Sequence, residues 1–167
     1  MHGYAWSYKL QQRHLCLPIA ALEFLALALS FIIFGALLLP LPGEPLGIRC
    51  IVAESDALAP TLALQNDKAK APIMQFIHKE LEDLPEFQQL APSVHLAHLF
   101  GPANAFSDPL SRGKWDTFAQ LCRQLRVQPV LMPIPTSAVD LIDRVAMRQQ
   151  QLLDGANNHS AAMGTSK

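Results

Sequence analysis

The sequence predicts one α/β domain. Short extended stretches, bounded by glycine, proline or acidic residues, alternate with segments whose apolar residues recur every three or four positions. Half of the 167 residues are apolar, which supplies a core and excludes wholesale disorder. The length leaves no room for two ordinary domains. Charged residues reach only 16%, against about 25% in an average soluble domain, and the formal net charge is −1. That balance excludes a highly basic nucleic-acid tail and an acidic solvating domain, but not a local basic face.

The first element is a strand over residues 3–10, GYAWSYKL, where Tyr4, Trp6 and Tyr8 alternate. An apolar run over residues 15–41 follows, with Glu23 as its one charge. It reads in two ways. Residues 24–41 carry no charge and are long enough to span a bilayer. Glu23 would cost about 2.5–3.5 kcal/mol there, against a return of about 0.3–0.6 from each Leu, Ile or Phe. Lys9 and Arg13 would then hold the N-terminus in the cytoplasm. The apolar region is too long for a signal peptide, and no clear cleavage site follows it. Alternatively, residues 17–39 form a helix buried on nearly all sides. Pro18 suits its first turn, and Pro40, Pro42, Gly43 and Pro45 stop it. On hydropathy alone the two readings stand level.

Ile48, Cys50, Ile51 and Val52 predict a short buried strand ending at Ala53. Ser55 or Asp56 is placed to cap a helix over residues 57–65, and a polar connection follows. Ile73, Phe76, Ile77 and Leu81 predict a helix over residues 71–84. Pro85 and Pro92 frame a loop, and residues 94–100 read as a strand broken by Gly101-Pro102. Ser107, with Pro109 in the first turn, predicts a helix running to about Arg126. An extended piece over residues 128–133 precedes a helix over residues 137–153. The tail from Gly155 is expected to be disordered.

Cys16, Cys50 and Cys122 are widely spaced and odd in number. They read as free, buried thiols in a reducing, intracellular compartment, an expectation for all three. His95 and His98 are the only close histidine pair, and nothing beside them completes a zinc site.

Three acids fall at element ends: Glu23 on the apolar helix, Asp56 after a strand tip, and Asp108 at a helix start. Strand C-termini and helix N-termini collect at one edge of an α/β sheet. Three carboxylates meeting there would repel one another, and a divalent cation with a taste for hard oxygen, magnesium or manganese, would neutralise them. Two such ions about 3.5–4 Å apart would activate a water and steady the leaving oxygen of a phosphodiester. The plainer alternative makes Asp56 and Asp108 helix caps and Glu23 an isolated acid.

Residues 98–113, HLFGPANAFSDPLSRG, resemble the end of the RNase H domain of reverse-transcriptase retroelements. In that family a strand ends in His-x-Pro-Gly, an Asn follows, and the last catalytic acid sits in Ala-Asp-x-Leu-Ser-Arg. The matching residues are His98, Gly101, Asn104, Asp108, Leu110, Ser111 and Arg112. Residues 19–26, IAALEFLA, resemble the helix carrying the catalytic glutamate, and residues 54–57, ESDA, the strand end carrying an Asp. Ala57 stands where the family usually has Asn.

The resemblance implies a truncated RNase H-like fold over residues 1–126, a mixed sheet with flanking helices that lacks the first two strands. Residues 127–154 would be a helical extension and 155–167 a tail. It implies that Glu23, Asp56 and Asp108 are three of four metal-binding carboxylates for two Mg2+ ions. The fourth belongs to the first strand, and no acid precedes Glu23. The chain is therefore expected to be a retroelement fragment or a gene model that begins late, with hydrolysis of RNA in RNA–DNA hybrids as its ancestral and now impaired reaction. Expected partners are hybrid or other nucleic acid and an upstream reverse-transcriptase region. Arg112 and Lys114 would contact phosphates, with Arg123 and Arg126 nearby. Trp115 could stack on a base, although a large aromatic on a helix is more often core. The apolar helix, short of cover, is expected to promote association. The alternatives are a single-pass membrane protein anchored by residues 24–41 without catalysis, and a nucleic-acid-binding remnant.

Overall fold

A helix that is apolar all round must be covered on several sides. Helix α1, Ile19–Leu38, is of this kind, and its only charged residue is Glu23. The computed structural model describes residues 2–39, 50–55, 69–98 and 105–164. Pro18 is the N-cap of α1 rather than part of its first turn, and its carbonyl accepts from the N–H groups of Ala21 and Leu22. Ala21, Phe24, Leu25, Ala28 and Leu29 are buried at spacings of three and four, as are Phe31 and Ile33 farther along.

Three helices supply the cover. α2 is Pro72–Glu82, α3 is Pro85–Leu90 and the last helix, α6, is Thr136–Gly164; each packs on α1. α2 contributes Ile73, Met74, Ile77 and Leu81, while α6 contributes Ala138, Leu141, Ile142, Val145 and Ala146. α1 and α3 approach closely at Gly35. A β-carbon there would lie 2.7 Å from Glu86 Cγ and 2.9 Å from Glu86 Cβ. Phe31 and Phe87 meet edge to face one turn away, at 5.0 Å.

Among the described residues no helix is long and apolar enough to cross a membrane. In the described fold α1 lays its apolar side chains against α2, α3 and α6.

The strands are β1 His2–Ala5, β2 Ile51–Ser55, β3 Val94–His98 and β4 Gln128–Leu131. β1 pairs in parallel with β4, Gly3 opposite Pro129, and β2 in parallel with β3, Ile51 opposite Val94. The α/β class holds. The single mixed sheet does not form among the described residues, where the strands make two separate parallel pairs. Residues 127–154, set apart above as an extension, supply the strand that pairs with β1 and much of the helix that covers α1.

Several elements differ from expectation. β1 stops at Ala5, and beyond it the Trp6 indole N–H donates to Ser30 Oγ on α1 (3.3 Å), a bond that anchors the chain to the helix. β2 continues to Ser55, and its residues alternate between half-buried and exposed where a buried strand was expected, with Val52 facing out. The helix over residues 57–65 and Asp56 lie outside the described residues. The loop framed by Pro85 and Pro92 is helical, α3 followed by a 3-10 turn at Ala91–Ser93. Proline needs no N–H bond in a first turn and starts a helix there. The helix drawn from Ser107 to Arg126 is two, α4 Ser107–Ser111 and α5 Trp115–Gln124. Gly113 between them has φ 66°, a left-handed conformation that glycine adopts without cost. α6 runs through Gly155 to Gly164. One helical glycine costs only about 1 kcal/mol, and no proline follows it.

The chain before α1 is fastened to α6 by one polar cluster. His14 ends a 3-10 turn, Gln12–His14, and is wholly buried. Its Nδ1 accepts the Gln11 backbone N–H at 3.1 Å, which assigns the proton of the neutral ring to Nε2. Nε2–H then donates to Asp143 Oδ1 at 2.7 Å. Arg13 adds two bonds to the same carboxylate, at 2.7 and 2.9 Å. The hydrogen bonds from His14 and then Arg13 hold the Asp143 carboxyl below its usual range. Farther along, Arg144 pairs with Glu80 and ties α6 to α2.

Asp143→Ala would leave the buried His14 N–H without its acceptor. The expected cost is about 1–3 kcal/mol, read as a lower urea midpoint near pH 7. The pH dependence has a definite sign. A carboxyl whose folded-state pKa is lowered stabilises the fold above the unfolded-state value and loses that contribution as pH falls through the folded-state value. Wild-type stability should therefore drop below about pH 4 more steeply than that of the variant. Parallel slopes in the two proteins would show that Asp143 contributes nothing through its charge.

Candidate functional site

Glu23 is half-buried, and it lines a cavity of about 820 Å³ on the side of α1 turned toward the strands. Five other parts of the chain close the cavity. β1 and the segment after it give Tyr4, Trp6 and Tyr8, and the end of β2 gives Glu54 and Ser55. α4 gives Ser107, Leu110 and Ser111; α5 gives Phe118 and Cys122; and Val127 and Pro129 come from the chain entering and forming β4. The C-terminal end of a parallel strand and the start of a helix thus meet at one opening, the usual place for a site in an α/β fold.

The three acids singled out in the sequence fare differently. Glu23 lies in the cavity wall. Asp56 is outside the described residues, but Ser55, which precedes it, is in the wall. Asp108 is not among the described lining residues, although its neighbour Ser107 is. The Asp108 carboxylate accepts from Arg112 Nε at 2.7 Å, one helical turn on. Both side chains are largely exposed. Ser107 belongs to α4 itself, with Phe106 before it as N-cap, and no side-chain cap bond forms.

Sequence reasoning missed Glu54 as a site residue. With the strand drawn to end at Ala53, Glu54 stood only as a polar boundary. The strand continues to Ser55, and Glu54 joins the wall. The described lining residues include two carboxylates and no lysine, arginine or histidine. These are hard oxygen donors and suit magnesium or manganese in kind. In number they are few, because no group of three or more His, Cys, Asp or Glu converges among the described residues.

Arg112, Lys114, Arg123 and Arg126 are all exposed, on or beside α5. Trp115, at 46% exposure, is not the core residue that its size suggests. Phe118 takes the buried place on α5, edge to face with Phe106. Arg126 has φ 53°, and the next N–H, of Val127, returns to the Cys122 carbonyl at 2.9 Å. That turn ends α5 and sends the chain into β4.

The Arg112–Asp108 contact is an exposed pair of the i,i+4 type, a class worth about 0.3–0.5 kcal/mol. Arg112→Ala should therefore shift the urea unfolding free energy by less than about 0.5 kcal/mol. A loss above about 1 kcal/mol would mean that the pair holds α4 in place. No family model, no curated protein and no solved structure matches this chain. A functional reading therefore starts from the cavity and from the residues around it.

Proposed function

We propose that the chain is an RNase H-like domain of retroelement origin, whose ancestral reaction is metal-dependent hydrolysis of RNA in an RNA–DNA hybrid. One observation carries this reading. A single cavity collects Glu23 of α1, the end of β2 immediately before Asp56, and the start of α4 at the residue before Asp108. These are the three places where the resemblance puts catalytic carboxylates. The parallel pairing of β2 with β3 supports it further.

In this reading Glu23, Asp56 and Asp108 hold Mg2+, with Glu54 beside them. When bound, the ion would supply the positive charge that activates water and stabilises a leaving oxygen. Glu23 is held on a packed helix and fixes one donor. Asp108 must give up Arg112 to take part, which costs little for an exposed pair. The released guanidinium would then be available to a phosphate, with Lys114 beside it. Cleavage by the chain is expected to be weak, because few donors stand ready and a two-metal geometry tolerates little slack.

Manganese, followed by its paramagnetic resonance signal, tests the metal half. Weak saturable binding is expected, loosened about tenfold or more by Glu23→Gln, and no change in that variant would overturn the site. Cleavage of a labelled hybrid, with Asp108→Asn as control, should be slight in magnesium. Robust cutting that the control abolishes would show a complete site and refute the impairment. Hybrid binding should weaken as salt rises, and Arg112→Ala or Lys114→Ala should each lower the log–log salt slope by about 1. An unchanged slope in both variants would remove nucleic acid as the partner of this face.

A further inference from the structure

The hydrolytic reading gives Trp115 no task, yet its indole stands 46% exposed at the corner between α4 and α5. That corner is built rigidly. The N–H groups of Arg112, Gly113 and Lys114 all return to carbonyls of α4: Asp108 at 3.2 Å, Leu110 at 3.1 Å and Pro109 at 2.7 Å. Gly113 supplies the φ of 66° that the turn requires. Phe118, one turn into α5, is buried edge to face against Phe106 and holds α5 from its inner side. A bonded turn and a packed ring therefore fix the backbone that presents Trp115. An aromatic anchor held in this way loses little freedom when a partner covers it.

The charges around the corner are of one sign in the main. Between residues 112 and 126 the exposed ionised side chains are Arg112, Lys114, Arg123 and Arg126, with Asp116 as the only acid. Arg112 is engaged with Asp108 and is left out of the reckoning, and Asp116 offsets part of the remainder. Lys114 adjoins the indole in sequence, while Arg123 stands about 12 Å farther along the axis of α5.

We propose that this corner binds single-stranded nucleic acid, with Trp115 stacked on an unpaired base and Lys114, Arg123 and Arg126 following phosphates along α5. An exposed indole among cations fits a polymer that carries flat rings and negative charge in regular alternation. The unpaired strand is favoured over a duplex, because a paired base must first leave its stack to meet the indole. Every base has a face to offer, so the site reads little sequence. The inference rests on the proposed function only in giving Lys114 a phosphate. It needs no metal, no carboxylate and no hydrolysis.

The test is fluorescence anisotropy of a labelled oligothymidylate titrated with the full chain. Saturable binding is expected, tighter than to a blunt RNA–DNA hybrid of the same length. Trp115→Ala should weaken binding of the oligothymidylate about fivefold or more. On a strand with the same phosphates but abasic residues it should change nothing, because no base is present to stack. Lys114→Ala should lower the log–log salt slope by about 0.7, whereas Trp115→Ala should leave the slope as it is. No saturation, an unchanged affinity in Trp115→Ala, or an equal loss on the abasic strand would each overturn the proposal. Self-association of the chain, read by sedimentation and abolished by Trp115→Ala, would overturn it too, since the indole would then be covered by a second copy. The two readings fail separately. Missing manganese binding or hybrid cleavage would remove the hydrolytic site and leave the Trp115 dependence standing. Robust metal binding and cleavage without any Trp115 dependence would remove only the single-strand site.

Discussion

The fold follows from one constraint: α1 has no polar face. A helix of this composition, left in water, would expose a continuous apolar cylinder. α2 and α3, neighbours in the chain, and the distant α6 answer that demand. Residues far from α1 in sequence are therefore not decoration. α6 buries five residues of the common core, and β4, just before it, gives β1 a strand to pair with. The small parallel pairs are too short to stand alone, so the helices organise the domain and the strands follow.

Cover by three helices cannot close all sides of a fourth. The cavity opens on the remaining side, between α1, the two strand regions, α4 and α5. Glu23, the only charged residue of α1, is there. Its placement is what elementary physics asks of a carboxylate on an apolar helix, since burial among α2, α3 and α6 would leave it among aliphatic side chains. The same fact bears on the two readings of the sequence, a bilayer span and a buried helix. A span would carry Glu23 as a pure cost, whereas in this fold it reaches a polar opening shared with Glu54, Ser55 and Ser107.

Strong periodicity and strong stops were legible in the sequence. α1 and α2 lie within two residues of the expected bounds, and β3 begins where alternation begins. Proline and glycine misled where their local roles are opposite in sign. Pro85 starts α3 where a loop was expected, and Gly113 cuts one expected helix into two. Long-range polar contacts left no trace in the sequence. Nothing in the spacing of His14 and Asp143 announces a 2.7 Å bond across 129 positions. Trp115 was misjudged because size alone does not decide burial, and Phe118 three positions on holds the inward place. At the site, the chain order of Glu23, the β2 end and the α4 start was legible. The pairing of Asp108 with Arg112 and the presence of Glu54 were not, since both depend on where local elements stop.

Within the proposed hydrolytic reading, these mechanical differences decide which acid governs a bound cation. Glu23 projects from a 20-residue helix packed on three others, so its backbone is fixed to within the small motions of a core. Asp108 projects from a five-residue helix whose carboxylate is turned to an exposed arginine. Opening that pair costs less than about 1 kcal/mol, whereas moving Glu23 would disturb the core, where a single cavity or overpacked contact costs about 1–5 kcal/mol. A cation would therefore settle where Glu23 puts it, and Asp108 would come to the ion. The arrangement separates a rigid donor that sets position from a mobile donor that completes the shell. Arg112, released in that step, would move its charge toward the solvent face that Lys114 already occupies, so metal capture and phosphate affinity would rise together.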